Sequence, residues 1–347
     1  MIYHVFVGTY SSSEDEALHW MAFDTEGGTL TKVSGIKGID RPSYLALHPR
    51  LDIVYAVSET EQGEVAAFRF DVSSGAMEEM NRRPTDGVWP CHLALSPDGR
   101  ELYVVNYGSG TLAFYPVGED GRIGEKQGQW AHEGRSVRDD RQERSHPHSV
   151  WNIPETGDWL VPDLGTDNLY LYRRSRASAP LALHSVTPSK PGAGPRHAAF
   201  HPRLPIVYVI EELTSTITAY ALERAIGHLN ALQTVATLPD DYAGESTCAH
   251  IQLTRDGNYL FGSNRGHDSI AVFRVEENGL LAPSGTFHTG GRTPRNFTVV
   301  DGSPYLLAAN QDSDNLVVFR LSDDGSLEMT GTQAVVAKPS CIVVKPV

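Results

Sequence analysis

One template recurs six times along this chain from Pro42 onward, and the spacing inside each copy barely changes. The copies read RPSYLALHP (from Arg41), WPCHLALSPDG (from Trp89), HPHSVWNIP (from His146), GPRHAAFHP (from Gly194), TCAHIQLTRDG (from Thr247) and TPRNFTVVDGS (from Thr293). A truncated seventh copy, KPSCIVVKP, follows at Lys338. With Pro42, Pro90, Pro147, Pro195, Cys248 and Pro294 as anchors, a polar residue stands sixteen positions after each: Ser58, Asn106, Asp163, Glu211, Asn264 and Asn310. An aromatic stands twenty-five or twenty-six positions after each: Phe68, Tyr115, Tyr172, Tyr220, Phe273 and Phe319. With Pro339 of the truncated copy as the seventh anchor, steps of 48, 57, 48, 53, 46 and 45 residues match the length of one propeller blade.

Each copy reads as four short strands. A run such as HLALS follows the anchor, then a Pro-Asp-Gly or His-Pro turn, then a β-branched and aromatic run such as ELYVVN. A third strand carries the aromatic, and a fourth follows an Asp-Gly or Asn-Gly signal. The last copy supplies one strand, while YHVFVGTY, ALHWMAFD and GTLTKVSG before Pro42 supply three. The expectation is an all-β, seven-bladed β-propeller with four antiparallel strands per blade. Its last blade is closed by three N-terminal strands and one C-terminal strand, so that no sheet edge is left open. Residues 1–347 are then expected to form one domain. The stretch ALERAIGHL at 221–229 has a helical pattern cut short by Gly227 and is taken as a loop elaboration.

The repeat also says which residues share a place. In an antiparallel pair, the start of the first strand and the end of the second lie at one end of the sheet. The residues just after each anchor, and those sixteen or seventeen beyond it, are therefore expected on one rim around a central channel. His92, His148, Arg196, His197, His250 and Arg295 come from the first set, and Glu212, Asn264, Arg265 and Gln311 from the second. Asn106, Asp163 and Asn310 are the residue types that tight turns select. The arginines are not. In a chain of net charge −14, arginines gathered at one mouth predict an anion site. The longest step between anchors adds a charged segment, residues 131–148, which ends at His148. It predicts a solvated loop, or a lid or substrate contact made by Arg141 or Arg144.

The acidic balance, with no Lys/Arg run, argues against nucleic acid and anionic membranes as partners. No window approaches eighteen apolar residues, and MIYHVFVGTY reads as a strand rather than a leader. Three cysteines without a close-spaced pair suit a reducing compartment. The expectation is a cytoplasmic protein, monomeric or weakly dimeric. Histidines at equal positions of different blades are usually too far apart to share one ion, and no HExxH or paired CxxC occurs, so neither metal nor cofactor is expected.

GPRHAAFHP with VIEELTSTITAY, then AHIQLTRDGNYLFGSNRGHDSIAVF, TPRNF and AANQDSDNLVVF, resemble the seven-bladed lactonase family over essentially the whole chain. That family contains bacterial propeller-type 6-phosphogluconolactonases and fungal carboxy-cis,cis-muconate cyclases. The resemblance implies cleavage or formation of a small anionic lactone and implicates His148, Arg196, Glu212 and Arg265. His197, His92, His250, Arg295, Asn264 and Gln311 are expected to line the substrate. Opening a lactone needs an activated water and a stabilised oxyanion. His148 or Glu212 would be the base. His148 titrates in the right range, whereas a Glu among arginines should have a lowered pKa. Arg196 and Arg265 would stabilise the oxyanion, hold the phosphate or carboxylate, or divide those tasks, and replacing Arg196 or His148 by Ala is expected to slow turnover at least tenfold with little effect on unfolding. Three readings compete: a 6-phosphogluconolactonase, a muconolactone-type cyclase or isomerase, and a non-catalytic propeller that binds a partner protein.

Overall fold

Residues 1–174 and 181–347 are described by a computed structural model. Among the described residues the strands form seven four-stranded antiparallel sheets, in six of which the strands pair in simple sequence order. Blade 3 holds Trp151–Asn152, Trp159–Asp163, Asn168–Arg173 and Ala182–Pro188. Blade 4 holds Pro195–Phe200, Ile206–Glu211, Thr216–Glu223 and His228–Ala236. Blade 5 holds Thr247–Leu253, Tyr259–Arg265, Ser269–Val275 and Leu281–His288. In blade 7 the strand Pro339–Pro346 pairs with Ile2–Thr9, which continues into Leu18–Asp24 and Thr29–Ile36. This is the predicted closure of three N-terminal strands by one C-terminal strand.

The chain divides into two compact units. One comprises Met1–His132, Gly290–Arg320 and Glu328–Val347, with blade 1 (residues 45–84), blade 2 (90–131), blade 7 and most of blade 6 (294–335). The other comprises Glu133–Thr289 and Leu321–Leu327, with blades 3, 4 and 5. Burial falls from inner to outer strand within a blade. In blade 4 the second strand, Ile206–Glu211, is buried at every position, whereas His228–Ala236 is largely exposed. Both faces of an inner strand are covered by neighbouring sheets, so it reads as a continuous apolar run rather than an alternating one. Ile206, Tyr208 and Ile210 pack against Ile251, Leu260 and Phe273 of blade 5, while Val207 and Val209 pack against Leu160, Leu169 and Leu171 of blade 3.

The sixteen-residue spacing is a strand register. Pro90 pairs with Asn106, Pro147 with Asp163, Pro195 with Glu211, Cys248 with Asn264 and Pro294 with Asn310. Immediately after the anchor the ladder slips. Pro195 faces Glu211 but His197 faces Ile210, so Arg196 is the extra residue of a β-bulge, and Cys91 and Arg295 hold the same place in blades 2 and 6. A bulge re-aims a side chain away from the pleat. The residue before the anchor is left-handed in five blades: Arg41, Trp89, Gly194, Thr293 and Lys338. The segment 221–229 is not a loop elaboration. It is the end of one blade 4 strand, a four-residue turn, and the start of the next, with Gly227 (φ 62°) donating its N–H to Glu223 O. The period-3.6 pattern there was too short to outweigh the flanking strand pairing.

Candidate functional site

His148, Arg196, Glu212 and Arg265 all lie in the unit formed by blades 3, 4 and 5, and local backbone features bring them together. In blade 3, Asp163 accepts bonds from Ser145 Oγ and from the N–H groups of His146, Gly165 and Thr166 at 2.6–3.1 Å. Its role is to fold the chain around His146–His148. Gly165 must be glycine, because a Cβ there would stand 1.9 Å from Arg144 O. In blade 4, Gly194 (φ 67°) donates to Asp167 and sets up the bulge at Arg196, whose carbonyl accepts from Ser149 Oγ of blade 3 at 2.6 Å. Glu212 follows the second strand of blade 4. Its N–H donates to Gly194 O at 2.7 Å, and its carbonyl accepts from Cys248 N at 3.1 Å. Arg265 ends the second strand of blade 5, opposite Thr247.

Glu212 is the hub, 3% exposed. Its Oε2 receives Arg196 Nε at 2.9 Å and lies 2.9 Å from Arg265 Nη2, while Oε1 receives Arg141 Nη2 at 2.6 Å. His148 Nε2 stands 4.0 Å from Oε2. Burial alone would push the Glu212 carboxyl upward. The charges of Arg265, Arg196 and Arg141 outweigh it and hold the group well below the usual carboxylate range, and His148 adds to them whenever it is protonated. Three guanidiniums thus face one ionised carboxylate, leaving surplus positive charge for an anion.

A second line of contacts runs inward. Arg196 Nη1 bonds Ala249 O and lies 3.1 Å from His197 Nε2, and His197 Nδ1 lies 3.0 Å from His250 Nδ1, so equal positions on these two adjacent blades stand far closer than expected from the sequence. The His197 ring also meets His148 edge-on at 5.6 Å between centroids. Burial and the charge of Arg196 pull His250 down to about 3, so it is neutral. His197 and His250 therefore brace Arg196 from behind.

The remaining expected substrate contacts divide. Asn264 is fully buried and committed: its amide donates to Thr237 O and Ser269 Oγ, and its carbonyl accepts from Thr237 Oγ1. These bonds tie strand ends of blades 4 and 5 together. His92, Arg295 and Gln311 belong to the other unit. There His92 stacks on Tyr44 at 4.1 Å, the Arg295 guanidinium lies 4.9 Å over the Tyr10 ring, and Gln311 Nε2 bonds Asp312. Arg141 is the site residue that the repeat could not place. Of the two arginines suggested in the charged segment, Arg141 reaches Glu212, whereas Arg144 pairs with Glu143 at 3.3 Å. Among the described residues no group of three or more His, Cys, Asp or Glu is gathered as metal ligands would be.

The sequence profile described as "Lactonase, 7-bladed beta-propeller" matches residues 4–344. The chain belongs to this lactonase family. Its seven four-stranded sheets are thereby the blades of a seven-bladed β-propeller. A relative named 6-phosphogluconolactonase, from Bacillus subtilis (strain 168), is 35% identical over 295 residues, covering 84% of this chain and 83% of that one. Another of that name, from Formosa agariphila, is 31% identical over 309 residues, covering 85% and 86%. Among solved structures, a Pseudomonas aeruginosa periplasmic gluconolactonase superposes with a TM-score of 0.93 at 29% identity, covering 99% of both chains.

Proposed function

We propose that this lactonase-family protein hydrolyses a small anionic sugar lactone, 6-phosphogluconolactone, to 6-phosphogluconate, with the chemistry at the Glu212 cluster. The observation that carries the reading is one buried carboxylate ringed by three guanidiniums with a histidine at 4.0 Å. Glu212 stays ionised, so it has no proton to give, and a carboxylate held this far down is a weak base. Its task is to fix the guanidiniums. His148 is then the base: as water adds to the lactone carbonyl carbon, its imidazole takes the proton, and the imidazolium so formed faces the Glu212 carboxylate. Negative charge builds on the carbonyl oxygen, where Arg196 or Arg265 stabilises it. Collapse breaks the bond from the carbonyl carbon to the ring oxygen, which leaves with the proton from His148. One water is consumed, and no redox step occurs.

The reading extends to a monomeric or weakly dimeric enzyme of the cytoplasm that binds no nucleic acid. Its three cysteines are buried free thiols, and among the described residues no helix is long and apolar enough to cross a membrane.

The test is the clearance of freshly made 6-phosphogluconolactone above its spontaneous rate, with unphosphorylated gluconolactone as control. We expect clear acceleration, and about tenfold or greater loss in His148→Ala with little change in unfolding temperature. Arg196→Ala should lose rate and stability together, because removing one partner of a buried ion pair costs roughly 3–5 kcal/mol. The burial of Arg196, at 2% exposure, is what changes the expectation drawn from sequence. No acceleration of either lactone by the parent would overturn the hydrolase assignment.

A further inference from the structure

The three guanidiniums around Glu212 are not equivalent. Arg196 and Arg265 are each also tied to a backbone carbonyl of blade 5, Ala249 O and Cys248 O respectively. Their side chains are 3% and 14% exposed, and both address Oε2 of Glu212. Arg141 addresses the other oxygen, Oε1, and its side chain is 33% exposed. It arrives from the charged segment that makes the second step of the repeat the longest, at 57 residues.

That segment is braced around Arg141. Gln142, fully buried, donates its side-chain amide to Leu164 O at 2.8 Å and its backbone N–H to Arg138 O at 2.7 Å. Its side-chain oxygen accepts from Arg138 N, and its carbonyl from Ser136 N. Ser136 Oγ is in turn fastened to Asp167 at 2.6 Å. The backbone beside Arg141 is thus held, and the part able to exchange partners is the long side chain itself. If it leaves Glu212, the carboxylate keeps Arg196 and Arg265 and is not stranded. Arg196, its side chain 3% exposed, would abandon a buried carbonyl in leaving.

We infer that Arg141 is the phosphate-recognising residue of this site, its guanidinium moving from Glu212 onto a phosphate monoester when substrate binds. The assignment rests on the lactone hydrolase reading above. A phosphate monoester carries about −1.5 to −2 at neutral pH against −1 on the carboxylate, and its oxygens match the guanidinium fork. The exchange favours a phosphorylated ligand and offers nothing to its unphosphorylated analogue, so Arg141 acts on specificity while His148 acts on rate.

The test compares parent, Arg141→Gln and Arg141→Lys in two assays. One is kcat and KM for 6-phosphogluconolactone and for gluconolactone; the other is calorimetric affinity for the open acids 6-phosphogluconate and gluconate. In Arg141→Gln, kcat/KM for the phosphorylated lactone should fall about tenfold further than for gluconolactone, mainly through KM, as expected for lost hydrogen bonds to a charged group. Affinity for 6-phosphogluconate should fall in parallel and that for gluconate far less, with Arg141→Lys recovering part of the loss. An equal fall for both lactones, carried by kcat, would mean that Arg141 acts only through Glu212 and would overturn the assignment, as would no change for either. A parent that hydrolyses neither lactone, yet binds 6-phosphogluconate in an Arg141-dependent way, would sink the hydrolase reading and leave the phosphate assignment standing. A parent that binds both acids equally would sink the assignment.

Discussion

At the residue scale the cluster is a set of unequal charges, and pH separates them. His250 is held near 3 by burial and by Arg196, against an ordinary value of 6.5. Below 6.5 the unfolded chain therefore binds a proton that the folded chain refuses, and stability is lost as pH falls through the window from 6.5 toward 3. Glu212 is depressed below 4.5, so its contribution is complete above 4.5 and is lost only as pH falls further. Glu211, one residue earlier, has the opposite sense: burial raises it, while Thr216 and Thr218 donate to it. Between pH 6.5 and 4.5 His250 overlaps with the raised Glu211, so the informative quantity is a difference. His250→Asn should lose less unfolding temperature than the parent between pH 6.5 and 4.5, measured by thermal melts. A gap between the two proteins that stays constant with pH would show that His250 titrates normally in the fold.

At the element scale, the meander register was legible from sequence because anchor and partner are sixteen residues apart and both are chemically marked, as with Pro195 and Glu211 or Pro294 and Asn310. The bulge at Arg196 was not legible, because a one-residue slip leaves no trace in composition. It is this slip, and not the rim position alone, that sets Arg196 against Glu212. The bonds of Asn264 were not legible for the same kind of reason: the residue type fits a rim, but only the fold shows that Thr237 donates to its carbonyl at 2.6 Å. Arg141 lay in a segment without a repeat partner, so nothing in the template could assign it a place. That segment is locked into blade 3 at Gly165, which gives a prediction for the element. Gly165→Ala puts a methyl group 1.9 Å from Arg144 O and 2.7 Å from His146 N, so backbone must shift. Overpacking of this kind costs about 1–3 kcal/mol. The unfolding temperature should drop by a few degrees and lactonase turnover should fall, because His148 and Arg141 are carried on the displaced chain. Gly157→Ala is the control, being left-handed (φ 74°) with nothing within 4 Å, and should cost stability alone. Equal turnover in the two variants would mean that the 141–148 segment does not depend on this contact.

At the scale of the whole molecule, the two compact units are unequal in how the chain builds them. The unit of blades 3, 4 and 5 is formed almost entirely by the continuous stretch Glu133–Thr289, whereas the other draws on Met1–His132, Gly290–Arg320 and Glu328–Val347. The discontinuous unit is tied by blade 7, where Tyr3 pairs with Pro346 and Gly8 with Cys341. Cys341 and Ile342, 1% and 4% exposed, pack into cores that also contain Phe6 and Val5 respectively. A chain ending at Val336 would leave the strand Ile2–Thr9 as an unpaired edge and expose those cores, and unpaired edges of this kind template aggregation. A folded domain is stable by only about 5–15 kcal/mol, and this truncation removes a whole ladder and its core contacts together. We expect the truncated chain to be insoluble, and we propose that the full chain unfolds in one calorimetric transition whose enthalpy equals its van't Hoff enthalpy. Two resolved transitions, with blades 3, 4 and 5 melting apart from the rest in the full chain, would show instead that the Glu212 cluster sits in a unit able to unfold alone. In that case the truncated protein should retain its arginine cluster and some affinity for 6-phosphogluconate.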